Sequence, residues 1–156
     1  MPTKHPILPR PRLFLDASAL FAGVFSETGG ARMLLKLAEG RLIDLMISAQ
    51  VLIEVEGALR RKAPQALGHL ALLLDRAHCH VVPTPPPEQV ARWLAHISYA
   101  PDAAVFAAAI LAQVDYFVTL DRQHLLGNVD LERASPLNIG TPGDALAWCH
   151  PKLVSE

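Results

Sequence analysis

Residues 101–126 constrain the fold more than any other part of this sequence, because they join a strong helix signal to a strong strand signal. Asp102 follows Pro101 and precedes an alanine-rich run, AAVFAAAILA, that has high helix propensity. The run Tyr116–Leu120 is aromatic and β-branched, has the length of a strand, and ends at Asp121. In a parallel α/β unit a helix begins at the edge where the strands end, and the next strand returns to that edge. We therefore expect Asp102 and Asp121 to lie at the same edge of a parallel sheet.

The rest of the chain repeats this alternation of short apolar strands and amphipathic helices. Strand signals occur at residues 12–15, 42–47, 78–82 and 116–120, with a weaker one at Leu137–Thr141. Short helices are predicted at RQHLL, after Asp121, and from Pro142 to near Trp148. The alternation predicts an α/β fold, a three-layer α/β/α sandwich with a central, mainly parallel sheet that is covered on both faces.

Length and composition limit the kinds of protein that this chain can be. Its 156 residues suit one domain, which we place at residues 12–150, after a proline-rich arm at residues 1–11 that lacks the apolar core of a signal peptide. Only 19% of residues are charged, which excludes disorder, and no apolar run approaches the ~18 residues of a membrane span. Cys79 and Cys149 have no CxxC spacing, so we expect buried thiols in a reducing cytoplasm.

Two further acids are predicted to reach the edge that holds Asp102 and Asp121. Asp16 ends the first strand, and Glu54 lies in the second turn of a helix, where its long side chain leans back toward the helix N-terminus. Asp102 and Asp121 each begin a predicted helix, and an Asp in that position is, taken singly, more often a simple cap. Four carboxylates in one place repel one another unless a cation neutralises them, and all-oxygen ligation suits Mg²⁺ or Mn²⁺. The pattern predicts metal-assisted hydrolysis of a phosphodiester.

Polar residues near these acids are candidates for supporting roles. Ser18 and Thr119 each lie two residues from a strand-end Asp, where a hydroxyl can orient a carboxylate or an attacking water. The net charge is −1, so a nucleic acid must be held by local basic groups rather than by the overall field. Arg122 is a candidate phosphate contact, and His124 a candidate RNA contact, although a histidine on a helix surface is the commoner role.

The sequence resembles the PIN-domain ribonucleases, and most closely the VapC-like branch, the toxins of toxin–antitoxin pairs. The matching segments are FLDASALFAGVFS, GGARMLLKLAEG, ISAQVLIEVEGALRR, PDAAVFAAAILAQVDYFVTLDRQHLL and IGTPGDAL, which cover most of the chain from about Arg12 to Trp148. The resemblance assigns the family's catalytic and metal-binding acids to Asp16, Glu54, Asp102 and Asp121, and its polar residue after the first acid to Ser18. The sequence DAS stands where DTN is commoner in the family, and the arm is longer than in many relatives.

This resemblance implies a Mg²⁺- or Mn²⁺-dependent endoribonuclease. It also implies RNA as the substrate, an antitoxin protein as a partner, and a homodimer in which two acidic sites line one groove. The alternative is a catalytically inactive PIN-like protein that binds RNA or acts as a scaffold; the presence of all four acids argues against it. For the enzyme, we expect that replacing one acid by Asn stops cleavage and leaves the fold at least as stable, because repulsion is relieved.

Overall fold

The computed structural model describes residues 9–154 of the chain. Within that range, five strands form one sheet: β1 (Arg12–Leu15), β2 (Asp44–Ser48), β3 (His80–Val82), β4 (Tyr116–Val118) and β5 (Asn138–Gly140). The same residues include eight α-helices: α1 (Ala17–Phe25), α2 (Gly30–Glu39), α3 (Ala49–Lys62), α4 (Leu67–Arg76), α5 (Pro87–Leu94), α6 (Ala100–Leu111), α7 (Val129–Ala134) and α8 (Pro142–Val154). A 3-10 turn, Pro64–Ala66, precedes α4.

The sheet has the order β3-β2-β1-β4-β5, and every neighbouring pair is parallel. The α/β fold predicted from the sequence is therefore confirmed, with helices flanking a sheet that is parallel throughout. β1 lies at the centre, and its residues Leu13–Leu15 are fully buried, as the apolar run LFL indicates for a strand covered on both faces. The ring of Phe14 stacks on that of Phe117 with centroids 5.5 Å apart, which locks β1 against β4.

The strand order places a switch point between β1 and β4. The chain builds β2 and β3 on one side of β1 and then crosses to the other side to add β4 and β5. The connections that leave β1 and β4 therefore diverge, and the crevice between them lies at the carboxyl ends of the strands, where ligands bind in open α/β sheets. Asp16 follows β1, and Asp121 follows β4, at this crevice.

One short helix predicted from the sequence, at RQHLL, is absent, and the predicted end of another was wrong. RQHLL forms turns, because the Asp121 carboxylate accepts hydrogen bonds from the backbone N–H groups of Gln123 (2.8 Å) and His124 (3.3 Å) and closes a local turn. Gly127, at φ +74°, then ends this segment, and α7, which the sequence patterns did not predict, begins after it.

The last helix, α8, does not end near Trp148 as predicted but continues to Val154, with Pro151 inside it. Proline removes one backbone donor and normally interrupts a helix. The buried side chain of Cys149 and the partly buried Leu153 pack against the core on either side of this proline, and this packing keeps the last turn in place.

Neither cysteine forms a disulfide within residues 9–154. Cys149 is fully buried, and Cys79 is partly buried in surroundings where desolvation raises the pKa of its thiol to about 12. Both cysteines are thus the protected thiols that their spacing indicated. In the described residues, no helix combines the length and apolarity needed to cross a membrane.

Most of the predicted proline-rich arm lies outside the described residues. The end of the arm that is described runs alongside β2: the carbonyl of Pro11 accepts a hydrogen bond from the backbone N–H of Asp44 at 2.9 Å, and Arg10 forms an ion pair with the Asp44 carboxylate at 3.5 Å. The division into an arm at residues 1–11 and a domain at residues 12–150 stays a prediction.

Candidate active site

The structure brings all four predicted acids to one cavity. The cavity has a volume of about 360 Å³ and opens at the edge where β1 and β4 end. Its lining consists of the four acids together with small polar and apolar neighbours: Asp16, Ala17, Ser18, Glu54, Asp102, Val105, Asp121 and Leu125. Two of the acids follow strands and two project from helices, so the parallel direction of the sheet is what gathers them.

Asp16 is the most deeply placed of the four acids, with 6% of its surface exposed. It caps the N-terminus of α1 by accepting a hydrogen bond from the backbone N–H of Ala19 at 2.9 Å. It also accepts bonds from the hydroxyls of Ser18 (2.6 Å) and Thr119 (2.5 Å). Burial raises the pKa of Asp16, and these hydrogen bonds offset only part of that rise. The carboxylate is held in one orientation although the fold disfavours its charge.

The hydroxyls of Ser18 and Thr119 also join the connections that leave β1 and β4. Ser18 Oγ accepts a hydrogen bond from the backbone N–H of Leu120 at 2.9 Å, and Thr119 Oγ1 accepts one from that of Asp121 at 3.0 Å. Ser18 Oγ therefore donates to Asp16 within its own connection and accepts from the other one, whereas Thr119 Oγ1 donates across to Asp16 and accepts within its own connection. They position the acid site by coupling its two strand ends.

Asp102 and Asp121 form the crowded side of the cavity. Asp102 lies in the first turn of α6, as predicted, and its carboxyl group is close enough to that of Asp121 for a hydrogen bond. The pKa of Asp102 is raised to about 7, first by burial, then by the hydrogen bond to Asp121 and by the charges of Asp121, Asp16 and Glu54. Burial and the neighbouring acids thus both disfavour the ionised form of Asp102.

Glu54 reaches the cavity from the second turn of α3 and is held there by Gln50, a residue that the sequence analysis did not single out. The Gln50 side-chain amide donates one hydrogen bond to Glu54 Oε1 at 3.0 Å and another to the carbonyl of Pro101 at 3.1 Å. Gln50 thereby links α3, which carries Glu54, to the start of α6, which carries Asp102. The spacing of four residues between Gln50 and Glu54 was the available signal, since such pairs face each other on a helix.

The donor set suits a hard divalent cation, since four carboxylates supply only oxygen atoms. The charges of Asp121, Asp16 and Glu54 add to burial in raising the pKa of Asp102, and a bound cation would relieve this part of the rise, as a proton does. The acids do not form a closed cage: within residues 9–154, no three Asp, Glu, His or Cys side chains are grouped closely enough to hold a bare ion. Mg²⁺ commonly keeps several of its waters and uses one or two carboxylates, so an open arrangement is compatible with it.

Arg122 and His124 do not line the acidic cavity. Both line a neighbouring cavity, also of about 360 Å³, on the other side of the turn that follows Asp121. Arg122 is exposed, and the ring of His124 stacks on that of Tyr99. The sequence analysis therefore predicted two residues close to the acids, but it did not predict the second cavity that they line.

A family model, described as PIN domain, matches residues 12–123. The match covers most of the chain, including Asp16, Ser18 and Thr119 and their hydrogen-bond partners Ala19, Leu120 and Asp121. The chain belongs to the PIN domain family.

Solved structures share this fold. The chain is similar to PAE2754 from Pyrobaculum aerophilum (22% identity, 90% of each chain, TM-score 0.63). It is also similar to a chain of VapBC2 from Rickettsia felis, solved bound to a DNA fragment from their promoter (14% identity, 82% of this chain and 96% of that chain, TM-score 0.60). A third is VapC20 from Mycobacterium tuberculosis, a sarcin-ricin loop cleaving toxin (21% identity, 71% of this chain and 91% of that chain, TM-score 0.55). No curated protein matches the chain significantly.

Proposed function

We propose that this protein is a metal-dependent endoribonuclease. The observation that carries the proposal is the convergence of Asp16, Glu54, Asp102 and Asp121 on one cavity at the switch point of a PIN domain. A protein that only binds RNA gains nothing from four acids in its ligand cavity, because they repel the phosphate backbone. The alternative of an inactive PIN-like scaffold is therefore the weaker one.

The four acids are the residues that would hold Mg²⁺ or Mn²⁺. When bound, such a cation supplies a water of lowered pKa and neutralises charge on the phosphate. The protein's own contribution is positional. Thr119 and Ser18 fix the Asp16 carboxylate, while Gln50 fixes Glu54 relative to the start of α6.

The biological role that we infer is that of a toxin held in check by an antitoxin protein. The names of two similar structures support this, since one belongs to a VapBC pair and another to an RNA-cleaving VapC toxin. RNA as the substrate, a cytoplasmic site of action and a homodimer are parts of the same proposal. Co-purification with the product of an adjacent small gene tests the antitoxin, and light scattering at micromolar protein tests the homodimer, which a monomer at every concentration would contradict.

The central experiment is cleavage of labelled single-stranded RNA by purified protein with Mg²⁺, with Mn²⁺ or with EDTA. Cleavage is expected with either metal, none in EDTA, and recovery when metal is added in excess. Asp16→Asn and Asp102→Asn are expected to remove activity. Asp75→Asn is the matched control, because Asp75 is an exposed acid on α4, outside the cavity. Equal cleavage by parent and Asp16→Asn protein in EDTA, with contaminating nuclease excluded, would refute the proposal.

A further inference from the structure

A second cavity lies next to the acidic one and is separated from it by the turn at residues 121–128. Asp121 and Leu125 of this turn line the acidic cavity, and its other six residues line the second one. The second cavity has a volume of about 360 Å³ and a mainly polar lining, which includes His96, Ser98, Arg122, Gln123, His124 and Asn128. A ligand that extends from the acids across this turn therefore meets polar groups rather than an apolar surface.

The side chain of Asn128 holds the two walls of this cavity together. Its amide nitrogen donates to the backbone carbonyls of His96 at 2.8 Å and His124 at 3.1 Å. Its amide oxygen accepts from the backbone N–H of Leu131 at 3.0 Å and thereby caps α7. Both donors and the acceptor of this one amide are used, so the shape of the cavity is fixed by specific bonds.

Cationic and imidazole groups are available to an anionic ligand in this cavity. Arg122 is exposed and forms no ion pair within residues 9–154. It is also the sole Arg or Lys among the described residues that line either cavity. The ring of His96 is oriented by Asp130, whose carboxylate lies 2.6 Å from Nδ1. A carboxylate only accepts hydrogen bonds, so Nδ1 carries the proton and Nε2 is the atom left for other contacts.

His124, which lines the second cavity, forms an aromatic stack with Tyr99. The rings of Tyr99 and His124 are nearly parallel, at 16°, with centroids 5.2 Å apart. Tyr99 lies three residues before Asp102, and His124 lies three residues after Asp121, so the stack joins the same two segments as the acid pair. Tyr99 is 51% exposed and makes no capping bond to α6, although it occupies the cap position. The ring of Tyr99 therefore lies at the surface, and capping of α6 does not explain its position.

We propose that the Tyr99–His124 stack and the second cavity form a nucleotide subsite for single-stranded RNA. An unpaired base stacks on these aromatic rings, and Arg122 and the polar lining bind the adjoining phosphate. Aromatic rings stack on unpaired bases, whereas the bases of a duplex are already stacked on one another. This geometry therefore favours single strands. The net charge of −1 gives RNA no general attraction, which makes one well-placed arginine important. This inference rests on the proposed ribonuclease function.

The probe is a fluorescein-labelled single-stranded RNA of roughly eight nucleotides, a length within the range that one small binding fold covers. Its binding is measured by fluorescence anisotropy, in EDTA and at low salt, and is compared with that of the same sequence in a duplex. Tighter binding of the single strand is expected. Tyr99→Ala is expected to weaken it roughly 5- to 150-fold, whereas Tyr99→Phe keeps most of the affinity because the aromatic face remains.

Arg122→Ala tests the phosphate contact, with Arg76→Ala as the matched control. Arg76 is an exposed arginine at the end of α4 and lines neither cavity. Arg122→Ala is expected to reduce the slope of log Kd against log salt by about 0.7, the contribution of one phosphate contact in a single strand. Arg76→Ala is expected to leave the slope unchanged.

The outcomes separate this inference from the ribonuclease proposal, because binding is measured without metal and without cleavage. If the protein binds RNA as expected but cuts none with Mg²⁺ or Mn²⁺, the ribonuclease proposal is refuted and the proposed subsite stands. Three results would overturn the subsite: no binding of single-stranded RNA, duplex binding that is equal or tighter, or unchanged affinity in Tyr99→Ala protein. Equal melting temperatures of Tyr99→Ala and Tyr99→Phe proteins exclude loss of the fold as the cause of weaker binding.

Discussion

The hydroxyl of Thr119 donates a hydrogen bond of 2.5 Å to the carboxylate of Asp16, across the boundary between β4 and β1. The same oxygen accepts the backbone N–H of Asp121 at 3.0 Å. Thr119 is fully buried and Asp16 nearly so, which means that water cannot replace either bond at low cost. One hydroxyl therefore sets the relative position of two acids that follow different strands.

Thr119→Val is expected to destabilise the protein and to lower its cleavage rate. Valine has nearly the same shape, but it leaves an oxygen of Asp16 buried without its donor, which costs about 1–3 kcal/mol of the free energy of unfolding. Thr119→Ser keeps the hydroxyl and is the matched control. Urea unfolding measures the stability, and kcat for RNA cleavage measures the second effect. A valine variant that is as stable and as active as the serine variant would show that the bond has no positioning role.

Asp102→Asn is expected to raise the melting temperature of the metal-free protein at pH 8 while it removes cleavage. The pKa of Asp102 is raised to about 7 by burial and by the neighbouring acids, so the ionised group is unfavourable in the fold. Asparagine keeps the shape without the charge. Differential scanning fluorimetry in EDTA measures the shift, and Asp75→Asn is expected to show none. A lower melting temperature for Asp102→Asn would mean that its carboxylate is stabilised, contrary to the raised pKa.

Metal-free protein is expected to lose stability as the pH rises from about 4 to about 7. The folded state holds the Asp102 proton up to a pKa of about 7, whereas the unfolded chain releases it near 3.8. Between these values the native state binds more protons, so the free energy of unfolding decreases as the pH increases. The raised pKa of Asp16 acts in the same direction. Asp102→Asn should therefore reduce this slope without abolishing it, as measured by urea unfolding in EDTA at several pH values; an unchanged slope would contradict the assignment.

Added Mg²⁺ or Mn²⁺ is expected to stabilise the parent protein more at pH 8 than at pH 5.5. Metal ligands must be deprotonated, and Asp102 keeps its proton until about pH 7. A ligand that binds only the native state stabilises it by about 2.7 kcal/mol at one hundred times its Kd. The shift in melting temperature on adding metal measures the effect at each pH. Asp102→Asn should show a smaller shift, whereas an equal shift in parent and variant would place the cation elsewhere.

Chain direction made much of this site predictable from the sequence. Asp16 and Asp121 follow strands, and Asp102 lies at the start of the helix that leads to β4, so the parallel topology alone assigns them to one edge. The hydrogen bonds around Asp16 were harder to predict. The spacing of Ser18 and Thr119 indicates that their hydroxyls support an acid, but it does not show that both donate to Asp16. The second cavity could not be predicted from the sequence, because it depends on the turn that Asp121 closes in place of the predicted helix.

Gln50 shows the same limit, because its two contacts belong to different parts of the chain. It lies on α3 with Glu54, but its second hydrogen bond reaches the carbonyl of Pro101, 51 residues away. The pair on the helix was visible as an i, i+4 spacing. The contact with Pro101 depends on how α3 and α6 pack, which no local pattern specifies.

Gln50→Ala is expected to weaken metal binding and cleavage while it leaves the fold intact. Both donors of the Gln50 amide are used, one on Glu54 and one on the carbonyl of Pro101, so alanine frees the Glu54 side chain to leave the cavity. Loss of a residue that orients a metal ligand commonly costs about 10- to 100-fold in metal affinity or activity. The matched control is Gln65→Ala, because Gln65 is exposed on the 3-10 turn before α4 and lines neither cavity. The concentration of Mn²⁺ that gives half-maximal cleavage should increase for Gln50→Ala and stay constant for Gln65→Ala, with melting temperatures in EDTA that match the parent. If the two variants need the same Mn²⁺ concentration as the parent, Glu54 reaches its position without Gln50 and the positioning role is refuted.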